Sequence, residues 1–132
     1  MDKFELRRYA DTVTEIEVLE EEIAKLQAMA YPSSSLNNSG APSGGTHSDK
    51  VAALASKIAD LTEILEQRKA AALTMCRRIE DAIAELPPQD KTLMRLKYVL
   101  AYTWDEVADR THYSLRQVYY QHGRILREIA DK

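Results

Sequence analysis

The sequence predicts an all-α protein: a long helical hairpin or coiled-coil-like N-terminal part, followed by a small C-terminal helix-turn-helix domain. Three observations carry this. The chain of 132 residues holds four Gly, four Pro and one Phe against many Ala, Leu, Ile, Glu, Arg and Lys, a composition that favours helix over strand. Apolar residues recur at heptad spacing through most of the first 86 positions, the pattern of helices that pair along a seam. Near the end, "YTWDEV" and "YSLRQV" repeat one helix-start signal eleven residues apart. In each, a hydroxyl residue is followed three positions on by Glu or Gln, with an aromatic before and a Val after, which makes a capping box with a hydrophobic staple.

The first helix is expected from Asp2 to Ala30. Tyr9, Ile16 and Ile23 form one seam row and Leu19 and Leu26 the other, beside the acidic flank "EVLEEEIAKL", which reads as a solvated face. The segment 31–47, "YPSSSLNNSGAPSGGTH", has two Pro, three Gly and five Ser and almost nothing apolar. It lacks the surface to repay its ordering entropy and is expected to be a flexible linker.

A second helix is expected from the cap region Thr46–Asp49 to about Leu86. Val51, Ile58, Leu65, Ala72, Ile79 and Leu86 make one row, and Leu54, Leu61, Arg68, Met75 and Ala82 the other. About 37 helical residues would give a rod of roughly 55 Å. Arg68 interrupts the seam as a snorkelling side chain or a register-setting polar residue. "LPPQD" ends this helix, because residues before Pro leave the helical region, and Pro88 suits the first position of the next. That next helix, "QDKTLMRLKYVL", places Leu93, Leu96 and Leu100 on one stripe. Two capped helices follow, about Trp104 to Arg110 and Leu115 to Ala130. The first is too short to persist unsupported in water, so it must be clamped between neighbours, as in a helix-turn-helix.

Charge divides along the same line. Residues 1–86 carry a net −5 and residues 87–132 a net +2, within an overall −3. If the C-terminal part binds a polyanion, the acidic part should face away from it. On the last helix Val118, Ile125 and Ile129 share an inward face, with Leu115, His122 and Leu126 on its shoulder. Arg116, Tyr120, Gly123 and Arg127 point outward, with Gln117 and Arg124 on one edge and Tyr119 on the other. Arg can grip guanine with two hydrogen bonds, Gln can do the same with adenine, and rings can contact thymine methyls. Base reading is therefore expected from Arg116, Gln117, Tyr119, Tyr120 and Arg124. Arg95, Lys97, Arg110 and Arg127 are expected to hold phosphates, which fix orientation and carry no sequence information.

The C-terminal stretch "LPPQDKTLMRLKYVLAYTWDEVADRTHYSLRQVYYQHGRILREI" resembles region four of bacterial sigma factors, with their "T-x-x-E-[IV]-A" and "[YV]-S-x-x-x-[IV]" segments. The whole layout, an acidic helix, a Pro/Ser/Gly linker, "SDKVAALASKIADL" in a long helix and this ending, resembles small Gram-positive phage transcriptional regulators of the RinA and ArpU type. The resemblance implies that Ser114 caps the recognition helix, that Arg116, Gln117 and Tyr120 read bases, and that Thr103, Trp104 and Ser114 lie near phosphate. His112 stands where the pattern usually has Gly, so a positive φ is expected on a residue that adopts it less readily.

The sequence thus predicts a double-stranded DNA-binding transcriptional regulator. RNA polymerase and a second copy of the chain, paired through the heptad helices, are further expected partners. A small-terminase-like DNA-packaging protein and a protein-binding module remain the alternatives. No Gly-rich phosphate loop, H-E-x-x-H or metal-spaced Cys/His pair occurs, so neither enzyme activity, metal nor cofactor is expected. The single Cys76 allows no internal disulfide, and no apolar run suggests a signal peptide or membrane span. A cytoplasmic protein of a bacterial host cell is the expected setting.

Overall fold

A computed structural model of the chain describes residues 1–31 and 44–132. Among the described residues all regular structure is helical: α1 (Lys3–Ala30), α2 (Gly44–Ile83), α3 (Pro88–Met94), α4 (Trp104–Thr111) and α5 (Leu115–Ile129). Of the expected linker, residues 32–43 lie outside the described residues; from Gly44 onward the backbone is helical. Two compact units divide the chain, one of residues 14–70 and one joining residues 1–13 to 71–132.

In the unit of residues 14–70, Leu19, Ile23 and Leu65 are buried together, with Ile16, Ile58 and Leu61 half-buried against them. The apolar seam expected from the heptads is thus occupied by two helices of one chain. Arg68, which interrupts it, reaches Glu15 with an Nε to Oε1 distance of 2.9 Å and stays exposed, so an ion pair defines its place.

The other unit is built around nine fully buried side chains: Leu6, Ile79, Ile83, Leu93, Met94, Val107, Val118, Ile125 and Ile129. Each such burial is worth about 1.5–3 kcal/mol relative to exposure. Packing therefore binds the end of α2 and the start of α1 to the three C-terminal helices, whereas the Pro break alone places a division at residue 87. Leu6, off both heptad rows of α1, enters this core. Asp2 and Glu5 frame the start of α1, each carboxylate accepting from the other's backbone N–H at 2.9 Å, a third capping box.

Pro87 caps α3 and Pro88 occupies its first turn, where its missing N–H costs nothing. Leu93 and Leu96 are buried as expected, but Leu100 is 55% exposed. The reason is a π turn over Arg95–Val99, in which the Leu100 N–H donates to the Arg95 carbonyl. A turn closed over five residues changes the phase of everything after it, so Leu100 rotates out while Tyr98 becomes buried.

Candidate nucleic-acid interface

Both predicted capping boxes form. The Thr103 hydroxyl accepts from the Glu106 N–H, and the Glu106 carboxylate accepts from the Thr103 N–H. Ser114 and Gln117 repeat the arrangement at α5. Between them His112 ends α4 in the left-handed region, with φ 61°, as the missing Gly led one to expect. Ala101, in the bend before α4, has φ 59°, which no sequence signal announced.

The two boxes differ electrostatically. The first turn of α4 carries Asp105 and Glu106, whereas that of α5 carries no acid. Carboxylates at a helix N-terminus satisfy its dipole and repel phosphate. Thr103 is thus engaged with its own Glu106, through the N–H and through a hydroxyl that donates at 2.9 Å. The neutral start of α5 leaves its dipole available to an anion.

α5 seats Val118, His122, Ile125 and Ile129 in the core. This fixes the rotation of the helix and exposes Arg116, Gln117, Tyr119, Tyr120 and Arg127. Tyr120 is 65% and Tyr119 50% exposed. Tyr119 rests edge-on against Trp104, ring centroids 5.5 Å apart. Gln117 spends its carbonyl oxygen on the cap, 3.3 Å from the Ser114 N–H, and keeps its NH₂ donors for a partner. Arg116 has no ion pair among the described residues. Gly123 lies beneath the Arg127 guanidinium, with room for a Cβ 3.8 Å from Nη1.

Three of the expected cations are placed differently from simple surface positions. Arg124, expected to read bases, is bound by Asp90, Glu128 and Gln121; its pKa is raised, first by the hydrogen bond to Asp90. Arg95 pairs with Glu80 through Nη2 at 2.6 Å, and that hydrogen bond lowers the Glu80 pKa. Lys97 lies over the Trp104 ring, 4.4 Å from its centroid, and donates to the Tyr102 carbonyl at 3.3 Å. Its pKa is lowered by burial, then by Arg7 and Lys3. Arg110 remains exposed, 5.5 Å from the Tyr102 ring centroid.

Beneath Trp104, the buried His122 Nε2 is hydrogen-bonded to the Tyr98 hydroxyl, and the indole meets the imidazole at 4.6 Å. Burial first, then Lys3, Lys97 and Arg7, push His122 down to about 4, and burial pushes Tyr98 up to about 12. At neutral pH this is therefore a neutral hydrogen bond, a structural histidine supporting the junction of α4 and α5.

Residues 76–129 match the family model of sigma-70, region 4. The C-terminal part of this chain carries a sigma-70 region-4-like helix-turn-helix. That match covers less than half of the chain and begins at Cys76, inside α2, where Ile79, Ala82 and Ile83 already belong to the core of this unit. The region-4 likeness assigns these helices to a DNA-binding, regulatory type of helix-turn-helix. No curated protein and no solved structure matches the chain. Among the described residues no helix is long and apolar enough to cross a membrane, and no group of His, Cys, Asp or Glu is placed to hold a metal ion.

Proposed function

We propose that this protein is a sequence-specific, double-stranded DNA-binding transcriptional regulator that reads the major groove with α5. It acts without enzymatic activity, in the bacterial cytoplasm, and RNA polymerase is its second partner. The observation that carries the reading is the outward face of α5. An exposed Arg116 with no ion pair among the described residues stands beside Gln117, Tyr119 and Tyr120 on a helix whose opposite face is locked in the core. A base-reading side chain needs such a rigid mount, because positional error is lost discrimination.

The site is narrower than the sequence alone suggests. Arg116, Gln117, Tyr119 and Tyr120 read bases, while Arg124 holds α5 to α3. Arg110, Arg127, Lys97 and the α5 cap at Ser114 supply backbone contacts; Arg95, Thr103 and Trp104 act through the scaffold. The layout likeness to small phage regulators supports a phage or prophage role.

Enrichment of duplexes from a random pool tests the reading. The wild type should enrich a defined motif, and Arg116→Ala should relax it at one position, a loss of about 1–3 kcal/mol of discrimination. Enrichment of no motif by the folded wild type would overturn it.

A further inference from the structure

A second cationic feature lies within the unit of residues 1–13 and 71–132, and two of its three cations come from α1. Lys3 and Arg7 of α1 line one pocket with Lys97 and Tyr98 of the π turn, Ala101 and Trp104. Lys3 and Arg7 are exposed and form no ion pair among the described residues. They share this pocket because the first turns of α1 are anchored beside it: Met1 and Leu6 are buried in the common core, and the Met1 amino nitrogen donates to the Ile129 carbonyl at the end of α5 at 3.2 Å.

Three cations around one pocket repel one another. Lys97 registers that repulsion, since Arg7 and Lys3 add to the burial that lowers its pKa. An anion seated among the three would relieve it. The pocket is also continuous with the proposed reading face, because Trp104 forms its wall and touches Tyr119 of α5. The start of α4, by contrast, is closed by its own Asp105 and Glu106. A phosphate on this side of the helix-turn-helix therefore meets its attraction in Lys3, Arg7 and Lys97.

We infer that Lys3 and Arg7 of α1, together with Lys97, form a composite phosphate clamp that holds the backbone of the same DNA duplex whose bases α5 reads. The clamp rests on the DNA-binding reading above and deepens it. Helix α1 becomes part of the DNA interface, and the acidic composition of the N-terminal region conceals a local basic site.

Titration of a mixed-sequence duplex with the full chain, by fluorescence anisotropy over a salt series, tests it. The double variant Lys3→Gln with Arg7→Gln changes two exposed side chains and leaves Met1 and Leu6 in place. It should weaken binding to all sequences alike and reduce the slope of log affinity against log salt by about 2. A charge-matched control, Lys25→Gln with Lys57→Gln in the other unit, should leave the slope unchanged. Equal slopes for the wild type and a folded double variant, or an equal change in the control, would overturn the clamp while leaving base reading by α5 intact. Failure of the wild type to bind any duplex would overturn both, and binding of polyglutamate instead would replace DNA by an acidic protein partner. Arg7→Gln alone, with an expected slope change of about 1, serves if the double variant is unstable.

Discussion

Nη2 of Arg124 stands 2.9 Å from both carboxylate oxygens of Asp90, tying the middle of α5 to the first turn of α3. Asp90 is only 6% exposed, so the pair fastens the recognition helix to its support. Losing the partner of a buried charge costs about 3–5 kcal/mol. Water on the outer side of Arg124 screens the pair, and about 1–3 kcal/mol is the expected loss for Arg124→Ala. Urea denaturation should show that loss, whereas Arg116→Ala should change stability by less than about 0.5 kcal/mol.

Stability should fall in mild acid through His122. Its folded pKa of about 4 lies below the ordinary 6.5, so between these values the unfolded chain binds more protons than the folded one. The contribution is fully present above about pH 6.5 and is lost as the pH falls toward about 4, by up to about 3 kcal/mol. His122→Gln keeps a hydrogen-bonding partner for Tyr98 without titrating. Urea midpoints at several pH values should therefore fall less steeply for this variant than for the wild type.

Two residues occupy left-handed backbone that suits glycine. His112 and Ala101 have φ of 61° and 59°, at a cost of about 1–2 kcal/mol for a residue with a Cβ. The extra freedom of glycine in the unfolded chain offsets part of the gain. His112→Gly and Ala101→Gly should each raise stability by up to about 1 kcal/mol, seen as a higher Tm.

The capping boxes can be weighed separately. Thr103→Ala and Ser114→Ala should each cost about 1 kcal/mol. Gly123→Ala should return up to about 1 kcal/mol, since a Cβ there meets nothing closer than Arg127 Nη1 at 3.8 Å. Thermal melts of the three variants against the wild type would give the order.

These contrasts also mark what was legible in the sequence. The caps at Thr103 and Ser114, Pro88 in the first turn of α3, and the inward face of α5 are local or periodic, so residue types a few positions apart reveal them. Gln121 and Glu128 stand at helical spacing from Arg124, but Asp90 lies 34 positions from it and Glu80 lies 15 from Arg95, and no spacing rule pairs those. Exposed on paper, both are ion-paired in the fold. The π turn defeated the 3.6-residue period that placed Leu100 in the core. Leu6 lies outside the heptad rows because the start of α1 packs into a different core from the rest, and the juxtaposition of Lys3 and Arg7 with Lys97 arises from that packing, not from any spacing. The capping box at Asp2 and Glu5 is local as well, a D-x-x-E spacing set among other acidic residues.

The central claim is that α5 reads duplex DNA through Arg116 and its neighbours. Its most direct test is equilibrium binding of the purified chain to fragments of its own genomic neighbourhood at two salt concentrations, with Arg116→Ala alongside. The account predicts that one fragment is bound in preference, that binding weakens with salt, and that the preference is lost in a variant that remains folded. Equal binding of every fragment by wild type and variant, or no binding by either, would contradict it.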